Sequence, residues 1–444
     1  MKQRIIIFLL LTSTAQIIAQ TIHGQLKQHA GQQISLMGFN YYQSSKIAQT
    51  TADSLGNFIL NYPKTYKGMG VLQTQDKSSL IVALTEPVIT IKGTHIKELD
   101  SLHFVNSIEN VQFENFVKQH VTNLQAYQAW RYLQPLYSKK NTTHSSRVLK
   151  EINKEIERIE NAAIKALQQL PKEAYLYWFL PKQLLVHRMP ATAQRYTERL
   201  PKDIAQFRHI NFSNPNFKTS GLFRELIEGH YLLLENMGQS LDRIAIEMNK
   251  STEYLITNLQ NNKVLLNTVS EKLFNYFEKR SLFQASEYLA VRMLANKQCV
   301  LNDDLAKKFE NYRKLKVGNT APEIILHNGD KLSSQTTNTL VVFGASWCPK
   351  CSEDFLKLTS YYNNWSAKLT VIYISLDTDK AAFNKAYKNA AWQTYCDYKG
   401  WDTKAAKDYF ITGTPSYFLL DENQKILVRP SSLEQIDAWV NYKL

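Results

Sequence analysis

Cysteine is scarce. The 444 residues contain four, Cys299, Cys348, Cys351 and Cys396, too few for a disulfide-stapled scaffold of this size. None precedes Cys299, which excludes lipid attachment at a cysteine near the start of the chain. Histidine is absent beyond His327, so the last quarter of the chain cannot pair its cysteines with imidazoles. Apolar runs long enough to cross a bilayer are missing after the first residues. Glycine (15) and proline (12) are outnumbered by tyrosine (24) and phenylalanine (20), which argues against low-complexity structure and for packed domains. No repeat of fixed period appears, so a solenoid is not expected.

What is present begins with "MKQR" and "IIIFLLL" (Ile5–Leu11), followed by uncharged residues to Ala19. This order of basic, apolar and small residues predicts a secretory signal peptide over 1–19. The formal net charge is +14, with the excess upstream of Val317 and spread along helical patterns rather than in one block. A basic solvated surface is the simpler reading, and nucleic acid is not an expected partner.

Short β-prone runs such as "QISLMGFN", "NFILNY" and "VITIKG" predict a small antiparallel β-domain over 20–100. Over 101–315 the apolar period changes to that of helices. Val148, Ile152, Ile156, Ile159 and Ala163 mark one such face, and Pro171, Pro181, Pro190, Pro201 and Pro215 are expected to separate helices. From 316 to 444, strands alternate with helices and end in a hairpin and a helix, an α/β order. The fold class expected is therefore multidomain, with β, α-helical and α/β parts in that sequence.

Within the last part, the apolar run "TLVVFG" leads into "ASWCPKCSEDF" (Ala345–Phe355). A zinc site would need two further ligands, and Cys299 and Cys396 are isolated. Covalent haem would need His after the second cysteine, where Ser352 stands. A redox pair fits better. A strand feeding a helix puts Cys348 at the helix N-terminus, where N–H groups and the dipole favour a thiolate. Cys351, one turn further in, is close enough to bond with it. Lys350 adds positive charge, and Trp347 is expected either to cap the site or to pack. In "ITGTPSYFLL", Pro415 stands just before a strand, as a cis Thr414–Pro415 bond would allow, leaving the Thr414 backbone free to pair with an extended peptide.

The segment Val317–Leu444 resembles the TlpA/ResA-like exported thiol–disulfide oxidoreductases of thioredoxin fold. The matching stretches are "GNTAPEI", "LVVFGASWCPKC", "SLDTD" and "KDYFITGTPSYFLLDENQKIL". The first part is similar, more weakly, to the small β-domain of unknown function often found ahead of such modules. The resemblance implies Cys348 as nucleophile, Cys351 as resolving cysteine, a Cys348–Cys351 disulfide and Pro415 as the cis proline. Asp354 stands where many relatives carry a Glu, so it is a candidate for moving protons at Cys351, with Glu353 beside it as the competitor. Thioredoxin's buried acid on the preceding strand is replaced by Val342, and Leu356 stands where many relatives have a proline.

Trp347, Pro349, Lys350, Thr414 and Pro415 are the expected substrate-contact residues. Disulfide-bearing exported proteins and an upstream electron donor are the expected partners. No cofactor, no metal and no membrane span after signal removal are expected, and a homodimer is left open. The location implied is the periplasm or cell envelope. Reduction of disulfides is the first reading, with isomerase, oxidase and a binding protein built on a thioredoxin scaffold as alternatives. A thiol peroxidase lacks the hydroxyl and Arg partners it would need beside Cys348. Cys299 and Cys396 read as small buried hydrophobes.

Overall fold

The computed structural model describes residues 20–98, 100–138, 143–296, 301–326 and 329–444. The segment read as a signal peptide, and Cys299, lie outside the described residues. The chain divides into two compact units, one ending at Gly238 and the other running from Gln239 to Leu444. The helical stretch expected over 101–315 is thus shared between them.

Among the described residues of the first unit, eight strands form two four-stranded sheets: β1 (Gln20–Leu26), β2 (Gln33–Asn40), β3 (Gln43–Thr51), β4 (Asn57–Tyr62), β5 (Gly68–Thr74), β6 (Ser79–Leu84), β7 (Val88–Gly93) and β8 (His103–Phe104). The orders are β4-β1-β7-β8 and β3-β2-β5-β6. Pairing is antiparallel except between β1 and β7, which run parallel. Alternation of the kind seen in β4, where Phe58, Leu60 and Tyr62 are buried, sends one face of each sheet into a shared core. Ile22, Leu26, Ile34, Leu36, Leu72 and Ile91 are among its other members.

Among the described residues, five α-helices follow: α1 (Ile108–Ser138), α2 (Thr143–Gln168), α3 (Tyr175–Gln194), α4 (Leu200–Phe207) and α5 (Phe223–Glu235). The predicted stripe on α2 is real: Ile152, Ile156 and Ile159 are buried against Tyr127, with Val148 partly buried beside them. One expectation fails. Pro181 and Pro190 do not separate helices but lie inside α3. Burial of Leu176, Phe179, Leu180, Leu185 and Met189 outweighs the lost backbone bonds, and Lys182 Nζ donates to the Trp178 carbonyl at 2.7 Å.

The second unit opens with α6 (Leu241–Leu259), α7 (Lys263–Lys279), α8 (Phe283–Ala295) and α9 (Asp303–Lys314). The α/β part comprises β9 (Asn338–Gly344), α10 (Pro349–Trp365), β10 (Leu369–Ser375), α11 (Lys380–Tyr387), β11 (Gln393–Tyr395), α12 (Lys404–Asp408), β12 (Ser416–Leu420), β13 (Ile426–Val428) and α13 (Leu433–Lys443). The sheet order is β11-β10-β9-β12-β13. The first three strands are parallel, and β12 and β13 are antiparallel to their neighbours.

The run in β9 is continuously apolar because both sheet faces are covered. Leu340 and Val342 face one core, with Trp365 of α10 and Ile436 and Val440 of α13. Val341 and Phe343 face the other, with Tyr409, Phe418 and Ile426. Among the described residues no helix is long and apolar enough to cross a membrane.

Candidate active site

Strand β9 ends at Gly344, and four residues later the chain enters α10 with Cys348 as its N-cap. Pro349 occupies the first helical turn, where its missing N–H costs nothing. The Cys351 backbone N–H donates to Cys348 Sγ at 3.1 Å, so the sulfur takes the place a Ser or Asp oxygen usually holds. Cys348 and Cys351 form a disulfide with a Cα–Cα distance of 5.2 Å, within the usual range. Both are buried. A thiolate released at Cys348 keeps this N–H donor and the positive end of the helix dipole.

The Thr414–Pro415 peptide bond is cis. The Thr414 carbonyl oxygen lies 3.5 Å from Cys348 Sγ, so the loop before β12 meets the start of α10 at the reactive sulfur. Trp347 is exposed and stands 6.1 Å, ring centre to ring centre, from the equally exposed Trp401. This exposed indole pair thus begins at the residue next to Cys348. Trp401 was not singled out in the sequence, because nothing in its local pattern ties it to Trp347.

Asp354 and Glu353 differ sharply. Asp354 is buried, whereas the Glu353 side chain is 68% exposed. The Tyr417 hydroxyl donates to Asp354 Oδ2 at 2.5 Å, and Lys350 Nζ lies 2.8 Å from Oδ1. Lys350 is thus engaged by Asp354, 2.8 Å away, and by Glu353 at 3.7 Å, which draws its charge from the cysteines toward the carboxylates. The hydrogen bond from Lys350 to Asp354 holds the ammonium pKa above its ordinary value. Burial, followed by the Asp354 contact, pushes the Tyr417 phenol far up, so it remains a donor. Tyr417 is the register partner of Val342, so a phenol enters beside the strand position that lacks an acid.

Asp377, just after β10, is also buried. It accepts from the Ser346 N–H at 3.1 Å, the Ser346 hydroxyl at 2.6 Å and the Ser375 hydroxyl at 2.5 Å. These bonds fix the loop that delivers Cys348. Cys396 is buried and its thiol donates to the Asp377 carbonyl at 3.3 Å, with burial pushing its pKa up.

Residues 337–426 match the family model described as thioredoxin-like. No curated protein matches the chain. Among solved structures, a thiol-disulfide oxidoreductase from Bacteroides fragilis is 28% identical, covering 28% of this chain and 100% of that one, with a TM-score of 0.26. A thiol:disulfide interchange protein from a Bacteroides species is 23% identical over 29% of this chain and 93% of its own, also with a TM-score of 0.26. A thioredoxin-like protein from Bacteroides caccae is 16% identical, covers 56% of this chain and 94% of that chain, and has a TM-score of 0.44. The sheet order, the paired cysteines at the start of α10 and the family match agree: the C-terminal part of this chain is a thioredoxin-like domain.

Proposed function

We propose that this protein is an exported thiol–disulfide oxidoreductase that reduces disulfides of cell-envelope proteins. The observation that carries the reading is Cys348 Sγ at the N-cap of α10, receiving the Cys351 N–H and facing the Thr414 carbonyl. With the pair reduced, the Cys348 thiolate attacks one sulfur of a client disulfide. A mixed disulfide forms, and the other client sulfur leaves as a thiolate. Cys351 then gives up its proton and attacks Cys348 Sγ, the second client thiolate departs, and the pair is left as the disulfide. The client gains two electrons, which an upstream dithiol donor must return to the pair.

An extended client segment is positioned by pairing with the backbone at Thr414 and by the indole pair of Trp347 and Trp401. In this reading Asp354, which Tyr417 and Lys350 contact three residues after Cys351, exchanges a proton with Cys351. Export to the periplasm or envelope rests on the opening residues of the sequence.

The test is the reduction potential of the pair, read by alkylation in defined glutathione buffers. A potential near about −250 mV supports reduction, and one near about −130 mV an oxidant instead. A pair that shows no redox transition removes the enzyme reading. Cys348→Ser is expected to abolish insulin-type disulfide reduction, while Cys351→Ser accumulates mixed disulfides.

A further inference from the structure

The first unit carries a second cluster of reactive side chains, at one end of the β-sandwich. His29 lies on the turn after β1, Asp76 on the turn joining β5 and β6, and His95 just beyond β7. A ring nitrogen of each histidine and an Asp76 oxygen all lie within 4.8 Å of one another. β1 and β7 belong to one sheet and the β5–β6 turn to the other. The cluster therefore joins the two sheets.

The hydrogen bonds determine which nitrogen is free. Gln32 Nε2 donates to the Gln28 carbonyl, which leaves Gln32 Oε1 as an acceptor. His29 Nδ1 is 2.9 Å from that oxygen and so carries the ring proton. Its Nε2 is then a lone pair. His29 is 1% exposed, and this nitrogen has no hydrogen-bond partner among the described residues. A buried imidazole nitrogen without a partner is unfavourable, and an ion held beside the nearby Asp76 would satisfy it.

The rest of the cluster is organised as a ligand set. Asp76 Oδ1 accepts from the Thr74 hydroxyl at 2.5 Å and the Ser78 N–H at 3.1 Å, and Oδ2 accepts from the Ser78 hydroxyl at 2.6 Å. These bonds hold the carboxylate in one orientation. Its Oδ2 is 3.4 Å from His95 Nε2, about the separation of neighbouring ligands around a tetrahedral zinc ion. The two imidazole rings are 4.4 Å apart.

We infer that His29, Asp76 and His95 form a zinc site that clips the two sheets of the β-sandwich together, with water as the fourth ligand. Two imidazole nitrogens and one carboxylate oxygen suit Zn²⁺. The Gln32 bond to His29 is the outer contact that metal-binding histidines use to fix their tautomer. Asp76 and His95 remain open enough for an ion and its water to enter, with side chains 41% and 18% exposed. Binding has one structural requirement. The Lys97 N–H now donates to His95 Nδ1 at 3.0 Å, so for Nε2 to bind the ion the ring proton must move from Nε2 to Nδ1, which gives up this contact.

The experiment is a zinc titration of the full chain against a chromophoric chelator, with the Cys348–Cys351 pair kept oxidised so that its sulfurs cannot bind. One zinc per chain is expected, with an affinity lowered about ten-fold or more in both Asp76→Asn and His95→Gln. His103→Gln, on an exposed histidine outside the cluster, leaves the affinity unchanged. Circular dichroism of each variant checks that the fold is kept. Absence of saturable binding, or binding in Asp76→Asn and His95→Gln as tight as in the parent chain, overturns the inference. A tetrahedral visible spectrum with Co²⁺, lost in the same two variants, supports it by an independent readout.

Discussion

The cysteine site and the histidine site are assembled in opposite ways. Cys348, Pro349, Lys350, Cys351 and Asp354 come from one helical turn and its continuation, so spacing alone brings them together. His29, Asp76 and His95 come from three turns far apart in sequence, and only sheet pairing makes them neighbours. A local site can be read from a string of residues, whereas a non-local site cannot. The local site nevertheless has long-range supports of its own. The Thr414 carbonyl arrives from 66 residues away, the Tyr417 hydroxyl from 63 and the Asp377 carboxylate from 31.

The sharpest way to break the contrast is to remove such a support without touching the cysteines. Asp377→Ala leaves the Ser346 N–H and the Ser346 and Ser375 hydroxyls without their common acceptor. A stability loss of about 3 kcal/mol is expected in urea unfolding, from several buried polar groups left unpaired. Disulfide reduction should fall as well, because the loop carrying Cys348 is released. Retention of full stability would show that the cysteine site is as local as its sequence suggests.

A smaller effect separates the two partners of Asp354. Tyr417 is buried, so Tyr417→Phe should cost about 1–3 kcal/mol and change the pH profile of thiol exchange. Lys350 is half-exposed, and Lys350→Met should cost less than about 1 kcal/mol, because solvent screens its pairing with Asp354. Equal effects from the two would mean that burial does not set the strength of this contact. In the first unit, Thr74→Val removes a donor to Asp76 and is expected to weaken zinc binding up to about ten-fold.

How much was legible follows the same division. The N-cap cysteine, its partner and the proline before β12 could be named from the sequence because helix entry and strand entry have local signatures. Asp354 could be named but not distinguished from Glu353, since adjacent helix positions differ only in which face is buried. Tyr417 lies two residues beyond Pro415 on the same strand, yet no pattern shows that its hydroxyl reaches α10. Pro181 and Pro190 misled in the opposite direction. Local propensity predicts a break at each, and burial of the α3 face overrides it. His29 sits in a short polar turn with no spacing of a metal motif, and becomes notable only when its Nε2 is found buried without a partner among the described residues.

An effect that appears only on acidification concerns a buried histidine of the helical part. His230 on α5 is fully buried and stacks on Phe207 with ring centres 3.6 Å apart. Burial, with the nearby Arg208 charge adding to it, holds its pKa well below the ordinary value. The unfolded chain therefore binds a proton at a pH where the folded chain does not. Stability is full above about pH 6.5 and declines as pH falls below it, by at most about 1.4 kcal/mol per pH unit. His230→Leu should remove this part of the acid sensitivity, seen as a flatter dependence of the urea midpoint between about pH 6.5 and 5. His29 offers the comparison within the same unit, because zinc bound there should make acid sensitivity depend on the metal. A His230→Leu protein whose midpoint falls with pH as steeply as the parent's would place that sensitivity elsewhere, with the histidine ligands of the sandwich as the next groups to substitute.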